Sequence, residues 1–151
     1  MAPAILLREK VDADLPEITD LWVASWNAAM PQIDFETRRV WFVERMATLE
    51  ADGATTIVAL AGGDIVGFVV IDPSTGYLDQ IAVLPLRQGS EVAAALMAQA
   101  KRRSPAGVDL LVNKDNGRAV RFYEKEGFVI TGETVNERSG APVHKMSWRP
   151  K

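Results

Sequence analysis

The chain has 151 residues, a net charge of −3, 48% hydrophobic residues, one histidine and no cysteine. That apolar content excludes a disordered chain, the charge provides no general nucleic-acid or anionic-membrane surface, and the residue counts exclude a disulfide framework, a cysteine nucleophile and a thiolate or histidine-rich metal centre, so no metal is expected. The length suits a single domain, 1–151; no leader pattern opens the chain and no apolar stretch reaches ~18 residues, so a cytoplasmic protein is expected.

Residues 4–10, AILLREK, read as a short strand. In DLPEITDLWVASWNAAM, Asp14 is a candidate N-cap, Pro16 suits the first turn and Glu17 completes a capping box. Leu15, Ile18, Leu21, Trp22 and Trp26 keep helical spacing. MPQI ends that helix, and Asp34 caps a second one that runs to Gly53. TTIVAL (55–60) and IVGFVVID (65–72) are β-branched runs joined as a hairpin by AGGD. GYLDQIAVLP (76–85) is a third strand, stopped by Pro85. Residues 89–103 read as a helix with a basic end, 107–112 as a buried strand, and 116–126 as a helix closed by Gly127. FVITGETV and VHKMSW are two final strands around NERSGAP. The order β-α-α-β-β-β-α-β-α-β-β predicts an α/β fold: a mixed sheet with helices on both faces and parallel neighbours between 77 and 135.

Two stretches carry chemistry. Gln88, Gly89, Ser90, Glu91, Val92 and Ala93 open a helix directly after a strand. The first N–H groups of a helix lack internal partners and sit at the positive end of its dipole, so they suit an anion. NKDNGRAVRFYEKEGF has the spacing N-x-x-A-x-x-x-Y-x-x-x-G-F at Asn116, Ala119, Tyr123, Gly127 and Phe128. By itself this is an amphipathic helix with Val120, Phe122 and Tyr123 inward. No G-x-G-x-x-G or G-x-x-x-x-G-K-[ST] string points to another nucleotide fold.

With both stretches in this order, the chain resembles the GNAT superfamily of acetyl-CoA-dependent N-acetyltransferases, over nearly its whole length. The family's Q/R-x-x-G-x-G/A signature aligns with 88–93, Leu96 and Met97 take the two apolar positions that follow, and IAVLP resembles the family's fourth strand. The resemblance implies a sheet splayed between strands 4 and 5, with the pantetheine arm entering the gap and pairing with main-chain groups of Ile81 and Val83, beside Ala82. It implies a pyrophosphate on the N–H groups from Gln88 to Ala93, Asn116 on the pantetheine arm, and Tyr123 facing the thioester sulfur, with Ala119 and Phe122 alongside. The cosubstrate would be acetyl-CoA and the acceptor a small-molecule or peptide amine; a homodimer pairing through GAPVHKMSW fits the family's habits.

Two positions depart from the pattern. Glu91 stands where the family usually has its middle glycine. Either its carboxylate points to solvent and gains on the order of 0.3–1 kcal/mol from the helix N-terminus, or it repels the pyrophosphate. The first is preferred because backbone N–H groups do most of the work in such a cradle. Leu111 replaces a glutamate that ribosomal-protein N-terminal acetyltransferases tend to carry, which counts against that subgroup.

Direct acetyl transfer needs a neutral amine and a proton for the departing thiolate. A phenol with a reference pKa of about 10 can donate to a thiolate whose acid has one of about 8.5, so Tyr123 is the expected acid. Asp79, which by strand alternation shares a face with Tyr77, Ile81 and Val83, is a candidate base; His144 and ordered water are alternatives. Trp26, Met30, Tyr77 and His144 are expected to line the acceptor side, and Trp22 and Phe42 the core. The alternative function is a degenerate fold that binds acyl-CoA as a sensor or partner module without turnover.

Overall fold

The computed structural model describes residues 4–87, 91–137 and 139–151. Its elements are β1 (Ile5–Glu9), α1 (Leu15–Ala29), α2 (Arg39–Ala51), β2 (Thr55–Ala61), β3 (Asp64–Asp72), β4 (Tyr77–Val83), α3 (Glu91–Arg103), β5 (Val108–Asn113), α4 (Gly117–Lys125), β6 (Val129–Val135) and β7 (Pro142–Trp148). The predicted order is observed. Short 3-10 turns at Asp12–Asp14, Phe35–Arg38 and Pro85–Arg87 lead into the first three helices. The second helix is therefore shorter than its sequence pattern, and the Asp34 carboxylate caps the 3-10 turn by accepting the Glu36 N–H at 3.1 Å.

The seven strands are ordered β1-β2-β3-β4-β5-β7-β6. All neighbours are antiparallel except β4 and β5. The β2–β3 hairpin turns through Gly62 and Gly63, at φ 61° and 88°, the two left-handed positions that a type I′ turn demands. The helices on one face, α1 and α2, bury Ile18, Leu21, Trp22, Phe42 and Met46 against Val58, Phe68, Val70 and Ala82. On the opposite face, α3 and α4 bury Val92, Leu96, Met97 and Tyr123 against Ile57, Val69, Leu110 and Met146. Trp22 and Phe42 are core residues, stacked with centroids 4.6 Å apart. Among the described residues no helix is long and apolar enough to cross a membrane.

Two expectations change. The Asp14–Glu17 capping box does not form. Asp14 makes no side-chain cap bond; its carboxylate accepts from Arg8 at 2.7 and 3.0 Å and from the Val11 N–H at 2.9 Å. Glu17 instead accepts the Ile65 N–H at 2.8 Å, tying α1 to β3. A bidentate guanidinium partner and a strand-end N–H outcompete the local box. Further, the last strand is not an edge available for pairing with a second copy: β7 lies between β5 and β6, laddered to both.

Candidate active site

The site begins where the sheet stops being continuous. β4 and β5 share one ladder position, Tyr77↔Asp109, beside a 2.9 Å bond from Asp109 N–H to Gly76 O. Beyond that apex no ladder pair joins them among the described residues. On the other edge of β4, Leu84 N–H donates to Val66 O at 2.9 Å. Main-chain groups alternate sides along a strand, so those of Val83 and Ile81 point away from β3, into the gap. The result is a wedge whose β4 wall presents, among the described residues, peptide donors and acceptors with no ladder partner at the two expected residues. Ile81 packs toward the α3/α4 core and buried Ala82 toward the α1/α2 core.

Helix α3 starts at the open end of the wedge, and β3 holds it there. A Cβ at Gly67 would stand 2.9 Å from Val92 Cγ1, 3.0 Å from Leu96 Cδ1 and 3.1 Å from Ala82 O, so the missing side chain is what lets α3 seat so closely. Val92 is fully buried and Ala93 half-buried. Glu91 is exposed in the first turn of α3. Gln88, Gly89 and Ser90, the centre of the expected anion cradle, lie outside the described residues.

On the β5 side, Asn116 is the N-cap of α4: its side-chain oxygen accepts the Ala119 N–H at 3.2 Å, leaving the amide nitrogen as the donor end. Ala119 and Phe122 are half-buried against the core. Tyr123 is buried, with ring centroids 5.5 Å from Phe122 and 5.8 Å from Phe128. Burial pushes its phenol well above the usual tyrosine range, so the group is protonated at every physiological pH.

On the opposite face the strict alternation expected for β4 fails. The β3–β4 register shifts between Val70 and Ile71, opposite Asp79. Such a bulge turns one residue out of the two-residue repeat. Asp79 therefore faces α2 while Ile81 and Val83 pack on the α3/α4 side. Its side chain is 8% exposed and both oxygens meet Arg45: Oδ1 takes Nη2 and Oδ2 lies 3.4 Å from Nε. The Asp79 hydrogen bond holds the Arg45 guanidinium above its ordinary range. Tyr77 is a third member: burial raises its phenol, the Asp79 charge adds to this and the Arg45 charge opposes it. Arg45 is invisible to strand-pattern reasoning, because nothing along β4 says which helical residue will lie over it.

The remaining candidates are not all brought together. Trp26 and Met30 sit at the end of α1, where Trp26 stacks on Phe35 at 5.6 Å. His144 alternates with Met146 on β7 and so faces the α4 side, away from the Arg45–Asp79 pair; its buried Nδ1 has no hydrogen-bond partner among the described residues.

Comparison with known proteins agrees with this architecture. Residues 34–150 match the family model described as acetyltransferase (GNAT) domain. The chain is 36% identical over 126 residues to the mycothiol acetyltransferase of Brachybacterium faecium, covering 75% of this chain but 35% of that protein, so it spans about a third of that relative. It is 27% identical over 145 residues to the peptidyl-lysine N-acetyltransferase YiaC of Escherichia coli K12, covering 95% of this chain and 96% of the relative. The crystal structure of PaiA N-acetyltransferase from Thermoplasma acidophilum in complex with coenzyme A superposes with a TM-score of 0.80, covering 97% of this chain and 99% of that one; at 15% identity this is a likeness of fold. The chain belongs to the GNAT acetyltransferase family.

Proposed function

We propose that this protein moves an acetyl group from acetyl-CoA to a primary amine by direct attack. The observation that carries the reading is the wedge: past the single Tyr77↔Asp109 pair, the β4 edge at Ile81 and Val83 has no ladder partner on β5 among the described residues. An extended ligand carrying amides can complete such an edge as an added strand does. The thioester supplies the acetyl group and the thiolate leaving group. Main-chain groups of Ile81 and Val83 bind the arm, and N–H groups at 88–93 take the pyrophosphate. The Asn116 amide orients the arm, while Ala119 and Phe122 exclude water beside it.

In the transfer the amine N–C bond forms and the C–S bond breaks. The proton lost by the nitrogen passes to a base, for which Asp79 through water is the candidate, and Tyr123 gives its proton to the sulfur. Trp26, Met30 and Tyr77 border the acceptor side. One relative is named a peptidyl-lysine N-acetyltransferase and the other a mycothiol acetyltransferase, which suits a peptide or small-molecule acceptor. Engagement of both Asp79 oxygens by Arg45 favours a second reading, an acyl-CoA-binding module without turnover. Thiol release with a panel of amines separates the two. Release above background that falls about 10²-fold or more in Tyr123→Phe, with CoA affinity kept, supports the transferase and its acid. No release with any amine refutes turnover. The raised phenol sets a pH sign as well: its acid form persists as pH rises, so any alkaline limb due to Tyr123 lies above pH about 10.

A further inference from the structure

Helices α1 and α2 cover one face of β1–β4; on that side β5 leaves Leu111 46% exposed. The Arg45–Asp79 pair lies at this border, two residues past the wedge apex. Across the apex, Tyr77 pairs with Asp109, and Asp109 carries a second guanidinium, Arg149 Nη1, at 3.1 Å. Burial works to raise the Asp109 carboxyl, but Ser147 and Arg149 outweigh it and hold it below the usual range. The floor beside the apex is thus two ion pairs of zero net charge, not an acidic basin for a polycation.

Docking of α2 does not require the Arg45–Asp79 pair. Phe42 and Met46, flanking Arg45 on the helix, already bury 0% and 1% exposed side chains in the core. A mostly buried ion pair is costly relative to apolar packing, so its presence beside the transfer point calls for a role. Arg45 has five N–H donors in a planar fork. Nε and one Nη2 hydrogen face Asp79, and its side chain remains 38% exposed. The outer donors match a second carboxylate, and Asp79 matches an ammonium.

We infer that Arg45 is a specificity-determining residue that selects zwitterionic acceptors: amines bearing a nearby carboxylate, of the amino-acid type. The acceptor's carboxylate takes the outer edge of the Arg45 fork while its amine is drawn to Asp79, so the bound charges alternate around the pair. This rests on the acceptor entering from the α2 side, as the transferase reading requires.

The test is binding, independent of turnover. Dissociation constants are measured by calorimetry on the full chain with CoA present for L-leucine against isopentylamine and L-lysine against cadaverine, each amine being its acid's decarboxylated counterpart. The acids are expected to bind about tenfold tighter or more than the amines. Arg45→Gln should erase that gap, weakening the acids while the amines, now facing an unpaired Asp79, bind as well or better, and Arg45→Lys should restore part of it. Equal binding of acid and amine by the wild-type protein, or no binding of either acid, overturns the inference, and the wild-type comparison decides it even if Arg45→Gln does not fold. A binding gap without thiol release would refute the transferase and leave the inference standing; thiol release with amines but no gap would do the reverse.

Discussion

Gly67→Ala tests whether the cofactor end of the site is positioned by packing. The new methyl carbon would stand 2.9 Å from Val92 Cγ1, 3.0 Å from Leu96 Cδ1 and 3.1 Å from Ala82 O. All are below ordinary van der Waals contact. Val92 and Leu96 are 0% exposed, so neither can swing into solvent, and the carbonyl is part of β4. Relief must come from moving α3 off the sheet. Overpacking of this kind costs about 1–3 kcal/mol, offset by about 0.4–1 kcal/mol from the reduced freedom of the unfolded chain. A net loss of about 1–2 kcal/mol lowers Tm by roughly 2–8 °C for a chain of this size. Because the first turn of α3 moves, CoA affinity should fall with it. Gly132→Ala is the control: its Cβ meets Lys145 Cβ at 3.8 Å, an ordinary contact, and stability should stay within about 0.5 kcal/mol. Thermal melts, urea unfolding and CoA calorimetry read both variants. A Gly67→Ala protein as stable and as avid as the wild type would show that α3 is not seated on Gly67.

Asn116→Ala removes the α4 cap and should cost about 1 kcal/mol in urea unfolding; Asn116→Asp keeps the cap but not the amide donor, so it should hold Tm while weakening CoA binding. Asp14 is held below the ordinary carboxylate range chiefly by its Arg8 hydrogen bond, against the opposing effect of burial. Its stabilisation is therefore present above pH about 4 and lost as pH falls through the depressed value, so Asp14→Asn should cost about 1 kcal/mol at pH 7, discounted for the partly exposed Arg8, and nothing at strongly acid pH. Glu91→Gln should tighten CoA binding by roughly 2- to 5-fold in calorimetry if the exposed carboxylate repels the pyrophosphate only weakly; a large loss of affinity would refute the assigned register. Amide exchange at Ile81 and Val83 should be fast in the free protein and slow with CoA, whereas Ala82 and Leu84 should be slow in both; early protection of Ile81 and Val83 would mean the gap is already closed.

The element order and the two-faced sheet were legible because each element carries its own period: β-branched runs in β2 and β3, a 3.6-residue stripe in α1, a glycine pair at the hairpin. The positions of Ile81, Val83, Asn116 and Tyr123 about the β4–β5 gap were legible for the same reason, since they follow from local spacing along β4 and α4; their role toward a cofactor is part of the proposed function. What failed was non-local. The alternation argument for Asp79 assumes an unbroken repeat, and a bulge is set by how β4 meets β3, not by the residues of β4 alone. The Asp14 box lost to partners six residues back and, for Glu17, on another strand. Arg45 belongs to a helix whose rotation over the sheet depends on the fit of Phe42 and Met46. His144 was grouped with the acceptor residues, whereas its pairing opposite Val112, in step with Met146, puts it on the α3/α4 face.

The wedge persists because each of its walls is committed elsewhere. Five of the six strand pairings hold five or more ladder positions, and β4–β5 holds one. To zip further, β4 would have to swing toward β5 together with β3, to which it is tied from Asp72↔Tyr77 to Gly67↔Val83, and β5 would have to bring β7 with it, paired from Val108↔Trp148 to Asn113↔Val143. Each bond of those ladders is worth about 0.5–1.5 kcal/mol, so neither strand moves without the half of the sheet it belongs to. The helices reinforce the stalemate, with α3 locked into β3 through Gly67 and α4 packed on the β5 side through Tyr123 and Phe128. An open edge inside a sheet, held between two laddered halves, is already shaped for an extended ligand; under the proposed function, binding would add the missing ladder without first breaking one, so that side chains at the apex, and not strand rearrangement, would decide what the acyl group meets.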